Sequence, residues 1–89
     1  MTSPSPRQIK AARALIGWTM PDLAEASGVS RSTIADYERG ARSAAPDSIK
    51  EMAEAMERVG IVFLSDGVRL DSSRRVAAAV RAMSRKVMP

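Results

Sequence analysis

The sequence predicts a mainly α-helical domain: a compact four-helix bundle, then a short β-hairpin, then a C-terminal helix. Three features predict it. Hydroxyl-bearing caps and glycine stops alternate as far as Gly40 at the spacing of short helices. Apolar residues then recur at 3, 4, 3 spacing from Ile49 to Val59. From Ile61 the helical period gives way to "IVFL", "SDG" and "VRL", the pattern of two short strands about a turn.

Taken in order, Ser5, Pro6 and Gln8 read as N-cap, N1 and N3 of a first helix. Ile9, Ala12 and Ile16 share one face, and Gly17 ends it. Thr19 caps a second helix with Asp22 at N3, Leu23 and Ala24 begin its buried side, and Gly28 stops it. Ser30 caps a third helix, which runs to Glu38 or Arg39 and ends at Gly40. A loop, "ARSAA", leads to Pro46 and Asp47, which open a fourth helix that closes at Gly60. The hairpin is expected to turn at Asp66-Gly67. Beyond Ser72, Val76, Val80, Met83 and Val87 form an apolar row, with Arg74, Arg75, Arg81, Arg85 and Lys86 on the other side. The expected organisation is therefore a flexible N-terminus (1–5), a bundle (6–60), and a hairpin plus basic helix (61–89).

Composition narrows the function. The chain has no cysteine and no histidine. That removes disulfides, thiolate and imidazole metal ligands, and the side chains that most often carry nucleophilic or acid–base catalysis. No enzyme activity, metal or cofactor is expected. No apolar run reaches the roughly 18 residues of a membrane span, and the start lacks the apolar core of a signal peptide. A soluble cytoplasmic protein is expected, with no membrane partner. The net charge of +4 is unevenly spread: residues 1–44 carry six basic and four acidic residues, 45–71 three and six, and 72–89 five and none. Such segregation suggests one face turned toward a polyanion and another turned away.

The stretch "DLAEASGVSRSTIADYERG", Asp22 to Gly40, stops one helix and restarts another within three residues. Gly28 tolerates a positive φ, Val29 is placed to plug the angle, and Ile34 to pack near the small Ala24. The third helix then presents its N-terminus, with unpaired N–H groups, a partial positive charge, and Arg31, Ser32 and Thr33. Arginine can fork onto guanine, hydroxyls can bond bases or phosphates, and a threonine methyl can meet thymine. This is the logic of a helix-turn-helix with its third helix in the major groove.

These residues carry a resemblance. Leu23-Ala24-x-x-x-Gly28-Val29-Ser30-x-x-x-Ile34-x-x-x-Glu38-x-Gly40 resembles the helix-turn-helix of the lambda-repressor-like (Cro and XRE) DNA-binding proteins. The match extends upstream through Arg13 and "LIGWT" and downstream to Pro46 and the fourth helix, covering about residues 6–60. It implies a lambda-repressor-like four-helix bundle that dimerises on a pseudo-palindromic operator. It implies that Ser30, Arg31, Ser32 and Asp36 approach bases, and that Arg39 and the loop after Gly40, which holds Arg42, approach phosphates. It also implies an internal ion pair between Arg13 and Glu38. One departure is plain: where the family's second helix opens with a DNA-contacting glutamine, this chain has Met20, followed by Pro21. The hairpin and the basic segment lie outside the common core.

Several residues have a second reading. Arg31 as a mere surface cation is disfavoured because a positive charge in the first turn opposes the helix dipole. Asp36 suits either a cytosine amino group or an i,i+3 pair with Arg39. Tyr37 suits a phosphate or, better, the core or its rim. Arg39 and Arg42 can serve the helix C-terminus and phosphates alike, and Trp18 is expected to pack beside the first helix. The unalternating "IVFL" is expected to have both faces covered, by the bundle and by a second chain.

The expected function is sequence-specific binding to double-stranded DNA by a regulator that forms a homodimer through residues 61–89. A chain ending at Gly60 is accordingly expected to stay folded but monomeric. The alternative is an antitoxin-like DNA-binding module whose C-terminal helix binds a partner protein.

Overall fold

Three of the four helices among the described residues begin where a side chain accepts an otherwise unpaired backbone N–H. In a computed structural model describing residues 3–41 and 44–71, these are α1 (Pro6–Ile16), α2 (Met20–Ser27) and α3 (Arg31–Arg39); α4 spans Pro46–Glu57. At α1 the Ser5 hydroxyl accepts from the Gln8 N–H at 3.2 Å, and the Gln8 side-chain oxygen accepts from the Ser5 N–H at 2.9 Å. Thr19 and Asp22 repeat this reciprocal capping box at α2. Ser30 caps α3 through the Thr33 N–H at 3.2 Å. Helix α4 starts at Ala45 without a side-chain cap, and relies on Pro46 in the first turn and on Asp47 facing the positive end of the helix dipole.

The faces that these helices bury are those the apolar spacing indicates. Ile9, Leu23, Ile34, Met52, Met56 and Ile61 are the largest fully buried side chains. Ala12 and Val59 are buried beside them, and Ile16, Trp18 and Ile49 pack against the cluster while half-buried. Met20, at the position where a glutamine would reach DNA, also packs on this core. Its side chain serves stability rather than the surface.

Past α4 the chain forms β1 (Ile61–Phe63) and β2 (Val68–Leu70), paired antiparallel in the register Ile61↔Leu70, Val62↔Arg69, Phe63↔Val68. Continuing that register, the Leu64 N–H donates to the Gly67 carbonyl at 2.9 Å, so Ser65 and Asp66 occupy the turn centre. The expected Asp66-Gly67 centre is off by one residue. The reason is burial: a one-residue slip would reverse the faces of a strand, and Ile61 is held in the core. Phe63, Val68 and Leu70 pack on the same core. The Gln8 amide nitrogen donates to the Leu64 carbonyl at 2.6 Å and the Gly67 carbonyl at 3.0 Å, fastening the turn to the first turn of α1.

Packing therefore does not divide the chain at residue 60. The hairpin completes the bundle, and the N-terminal segment is also engaged, since the Pro4 carbonyl accepts from the Tyr37 hydroxyl. The expected C-terminal helix lies outside the described residues. No helix among them is long and apolar enough to cross a membrane.

Candidate nucleic-acid interface

The α2–α3 elbow is built from local chemistry. Gly28 has φ +79°, a conformation that strains any residue with a Cβ, and its N–H donates to the Ala24 carbonyl at 2.9 Å. Val29 is buried in the angle and Ile34 is fully buried behind it. Ser27 adds two bonds that the sequence reading missed: its hydroxyl donates to the Leu23 carbonyl at 2.7 Å and accepts from the Val29 N–H at 3.2 Å. The signal was a serine beside a helix-ending glycine, where such side chains bond nearby backbone. Arg58, in the turn after α4, donates to the Ala26 carbonyl at 3.2 Å and satisfies the end of α2 from outside.

The orientation of α3 is set from α1. Arg13 Nε donates to Glu38 Oε2 at 2.7 Å and Nη2 donates to Oε1 at 2.8 Å, while Nη1 donates to the Trp18 carbonyl at 2.9 Å. The Glu38 side chain is only 2 % exposed. Hydrogen bonding to the Glu38 carboxylate, more than the accompanying charge attraction, raises the Arg13 pKa above its ordinary value, against the opposing effect of burial. The ion pair implied by the family resemblance is thus present, in the bidentate geometry that ties two planar groups together.

On this rigid support the N-terminal half of α3 is open to solvent. Ser30, Arg31 and Ser32 are exposed and Thr33 is half-buried. The hydroxyls are mutually ordered: Ser30 donates to Thr33 at 2.9 Å and lies 3.3 Å from the Ser32 oxygen. Arg31 makes no hydrogen bond or ion pair among the described residues, so its guanidinium is available. Asp36 accepts from Arg39, whose side chain remains 67 % exposed, giving the i,i+3 pair considered as one reading. Arg42 lies outside the described residues.

Tyr37 stands apart from the row. It is buried, and the one proton of its hydroxyl is given to the Pro4 carbonyl. A phosphate has no proton to give back, so a phosphate contact would require breaking that bond. Burial also raises the Tyr37 pKa. A raised folded-state value means that the stabilisation is complete below the ordinary pKa of 10.0 and is lost as the pH climbs through the higher folded value. Tyr37→Phe is expected to cost about 1 kcal/mol at neutral pH for the lost hydrogen bond, to remove this alkaline component, and to leave DNA affinity unchanged. Melting curves at pH 7 and above pH 10, with a binding titration, check all three.

An elbow of two short helices, a bidentate brace to the first helix and an exposed N-terminal half of the third are the parts of a DNA-reading helix-turn-helix. Comparison with family models agrees: the helix-turn-helix model matches residues 9–64, more than half of the chain. The chain belongs to the Cro/C1-type helix-turn-helix family. It is thereby a DNA-binding helix-turn-helix protein, and the match ends at Leu64, inside the hairpin, in keeping with a hairpin that shares the bundle's core. A comparison with curated proteins found no match. In this helix-turn-helix, α4 carries Asp47, Glu51 and Glu54 exposed to solvent, charges that phosphates would repel.

Proposed function

We propose that the protein is a sequence-specific regulator that lays α3, Ser30 to Arg39, in the major groove and binds as a homodimer on a pseudo-palindromic operator. The observation that carries this reading is the exposed Arg31, without a partner among the described residues, at the start of a helix braced by Arg13 and Glu38. Arg31 reads a guanine through its two-pronged guanidinium, Ser30, Ser32 and Thr33 bond bases or nearby phosphates, and Arg39 with Arg42 clamps the backbone. Asp36 holds Arg39 in place and can release it to a phosphate. The protein acts by binding alone, without catalysis or cofactor, in the cytoplasm at the nucleoid.

Dimerisation is part of the same proposal. One α3 reads one half-site, and half-sites lie roughly 34 Å apart, so two helices need a fixed separation. Phe63, Val68 and Leu70 of the hairpin pack on the bundle while Leu64 stays exposed, so the contact is assigned to residues 61–89, through Leu64 and the apolar row Val76, Val80, Met83 and Val87.

Arg31→Ala tests the reading. On a duplex carrying the preferred site it is expected to cost roughly 1–3 kcal/mol and to relax preference at one base pair per half-site, while binding to unrelated duplex changes little. Equal loss on both duplexes would make Arg31 a phosphate contact only, and no loss on either would remove α3 from the groove.

A further inference from the structure

Helix α2 ends differently from α1 and α3. After α1 the Gly17 N–H donates to the Ala14 carbonyl at 3.2 Å and the Trp18 N–H to the Arg13 carbonyl at 2.9 Å. After α3 the Gly40 N–H donates to the Tyr37 carbonyl and the Ala41 N–H to the Asp36 carbonyl, both at 3.0 Å. These crossed pairs are Schellman endings, in which backbone holds the second residue past the helix. After α2 the Gly28 N–H donates to the Ala24 carbonyl at 2.9 Å, the simpler ending with one bond. The second residue past this helix is Val29, and its N–H goes to the Ser27 hydroxyl at 3.2 Å. Among the described residues the Val29 N–H has no other partner. The Ser27 proton is given in turn to the Leu23 carbonyl at 2.7 Å.

A side chain therefore governs how the chain leaves α2. Val29 is only 7 % exposed, so its N–H needs a partner from within the protein. Helix stability does not account for a serine at this place. Alanine is the better helix former, and a hydroxyl bonded four residues back slightly weakens a helix. Without the hydroxyl, the Val29 N–H has a Schellman alternative in the Ala24 carbonyl, with the Gly28 N–H passing to the Glu25 carbonyl. That exchange rewinds the end of α2 and displaces Val29 from the angle between the helices. Ser30, the cap of α3, and Arg31 follow Val29 directly. A recognition geometry tolerates displacement of only about 0.5 Å.

We infer that Ser27 is a positioning residue for base reading: its hydroxyl selects the ending of α2 and so sets the direction in which α3 presents Arg31. This rests on the proposal that α3 lies in the major groove. Ser27 and the Arg13–Glu38 brace hold opposite ends of the same helix.

The test compares the full chain with its Ser27→Ala, Ser27→Thr and Ser5→Ala variants. Threonine keeps an oxygen that can bond the preceding turn. Ser5→Ala removes the cap of α1 and leaves the elbow untouched. Affinity is measured for the preferred site and for an unrelated duplex, at a temperature where melting curves show all four proteins folded. The amide resonance of Val29 is followed alongside. Ser27→Ala is expected to move that resonance and to lower the ratio of the two affinities at least about fivefold, the low end of what one aligned bidentate base contact supplies. The preference is relaxed at the base pair that Arg31→Ala also relaxes, and binding to the unrelated duplex changes little. Ser27→Thr restores the ratio of the parent, and Ser5→Ala leaves it unchanged. An undiminished ratio in Ser27→Ala overturns the inference while the groove assignment of α3 stands. An equal loss in Ser5→Ala reduces Ser27 to a contributor to stability, and a loss in Ser27→Thr as deep as in Ser27→Ala denies the oxygen its role; either result overturns the inference. A parent protein without base preference overturns both readings together.

Discussion

Glu38→Ala is expected to destabilise the protein by about 3–5 kcal/mol, because it leaves the mostly buried Arg13 guanidinium without its counter-charge. Arg13 is 15 % exposed, and its Nε and Nη2 protons would lose both carboxylate oxygens together. A domain of this size has a total stability on the order of 5–15 kcal/mol, so the change removes a large share of it. Removing both charges tells a different story. Arg13→Met with Glu38→Leu eliminates the desolvation cost along with the attraction, and is expected to recover most of the stability. It should not recover specific DNA binding, because two parallel hydrogen bonds fix the angle of α3 in a way that apolar contact does not. Urea unfolding of the single and double variants, followed by titration with DNA, separates the two contributions. Equal stability of Glu38→Ala and the parent would mean that the brace carries no load in solution.

Ending the chain at Gly60 is expected to abolish folding, whereas the sequence alone suggests a folded monomer. The deletion removes Ile61, which is fully buried, together with Phe63, Val68 and Leu70, which pack on the same core. Truncating one buried isoleucine to alanine costs about 2–5 kcal/mol. Losing four apolar side chains exceeds what a small domain can spare. Gln8 also loses both carbonyl acceptors in the turn, so its amide reverts to solvent. Ile61→Ala measures the core contribution separately, and should lower stability by the amount above without preventing folding. A chain ending at Gly60 with a cooperative melt and native helical content would return the hairpin to the role of an accessory.

What the sequence made legible was local. Ser5, Thr19 and Ser30 announced helix starts because a cap and its N3 partner lie three residues apart. Met52, Met56 and Val59 announced a buried face because a single helix sets their spacing. The elbow at Gly28 followed from one residue that accepts positive φ. The brace between Arg13 and Glu38 spans 25 residues; family resemblance rather than any pattern in the residues pointed to it. The Gln8 amide reaches carbonyls more than fifty residues away, and no periodicity encodes such a contact. Its oxygen was read correctly as half of a capping box, while its nitrogen held the hairpin. The turn was misplaced by one residue for a related reason: Asp-Gly is a strong local turn signal, but burial of Ile61 set the register. Tyr37 illustrates a residue with two readings on one helix. Its place on α3 allows a phosphate contact, but core packing is the better reading, and the residue is buried with its hydroxyl donated to Pro4.

The central claim is that α3 reads base sequence from a two-fold symmetric assembly. Selection of bound sequences from a pool of random duplexes tests it most directly, using the full chain at about 0.15 M salt so that non-specific attraction is screened. The account predicts enrichment of an inverted repeat, its half-sites centred about one helical turn apart, each with a strongly preferred G·C pair that is lost when the selection is repeated with Arg31→Ala. A pool that gains affinity without any sequence consensus, or a consensus indifferent to Arg31→Ala, would contradict it.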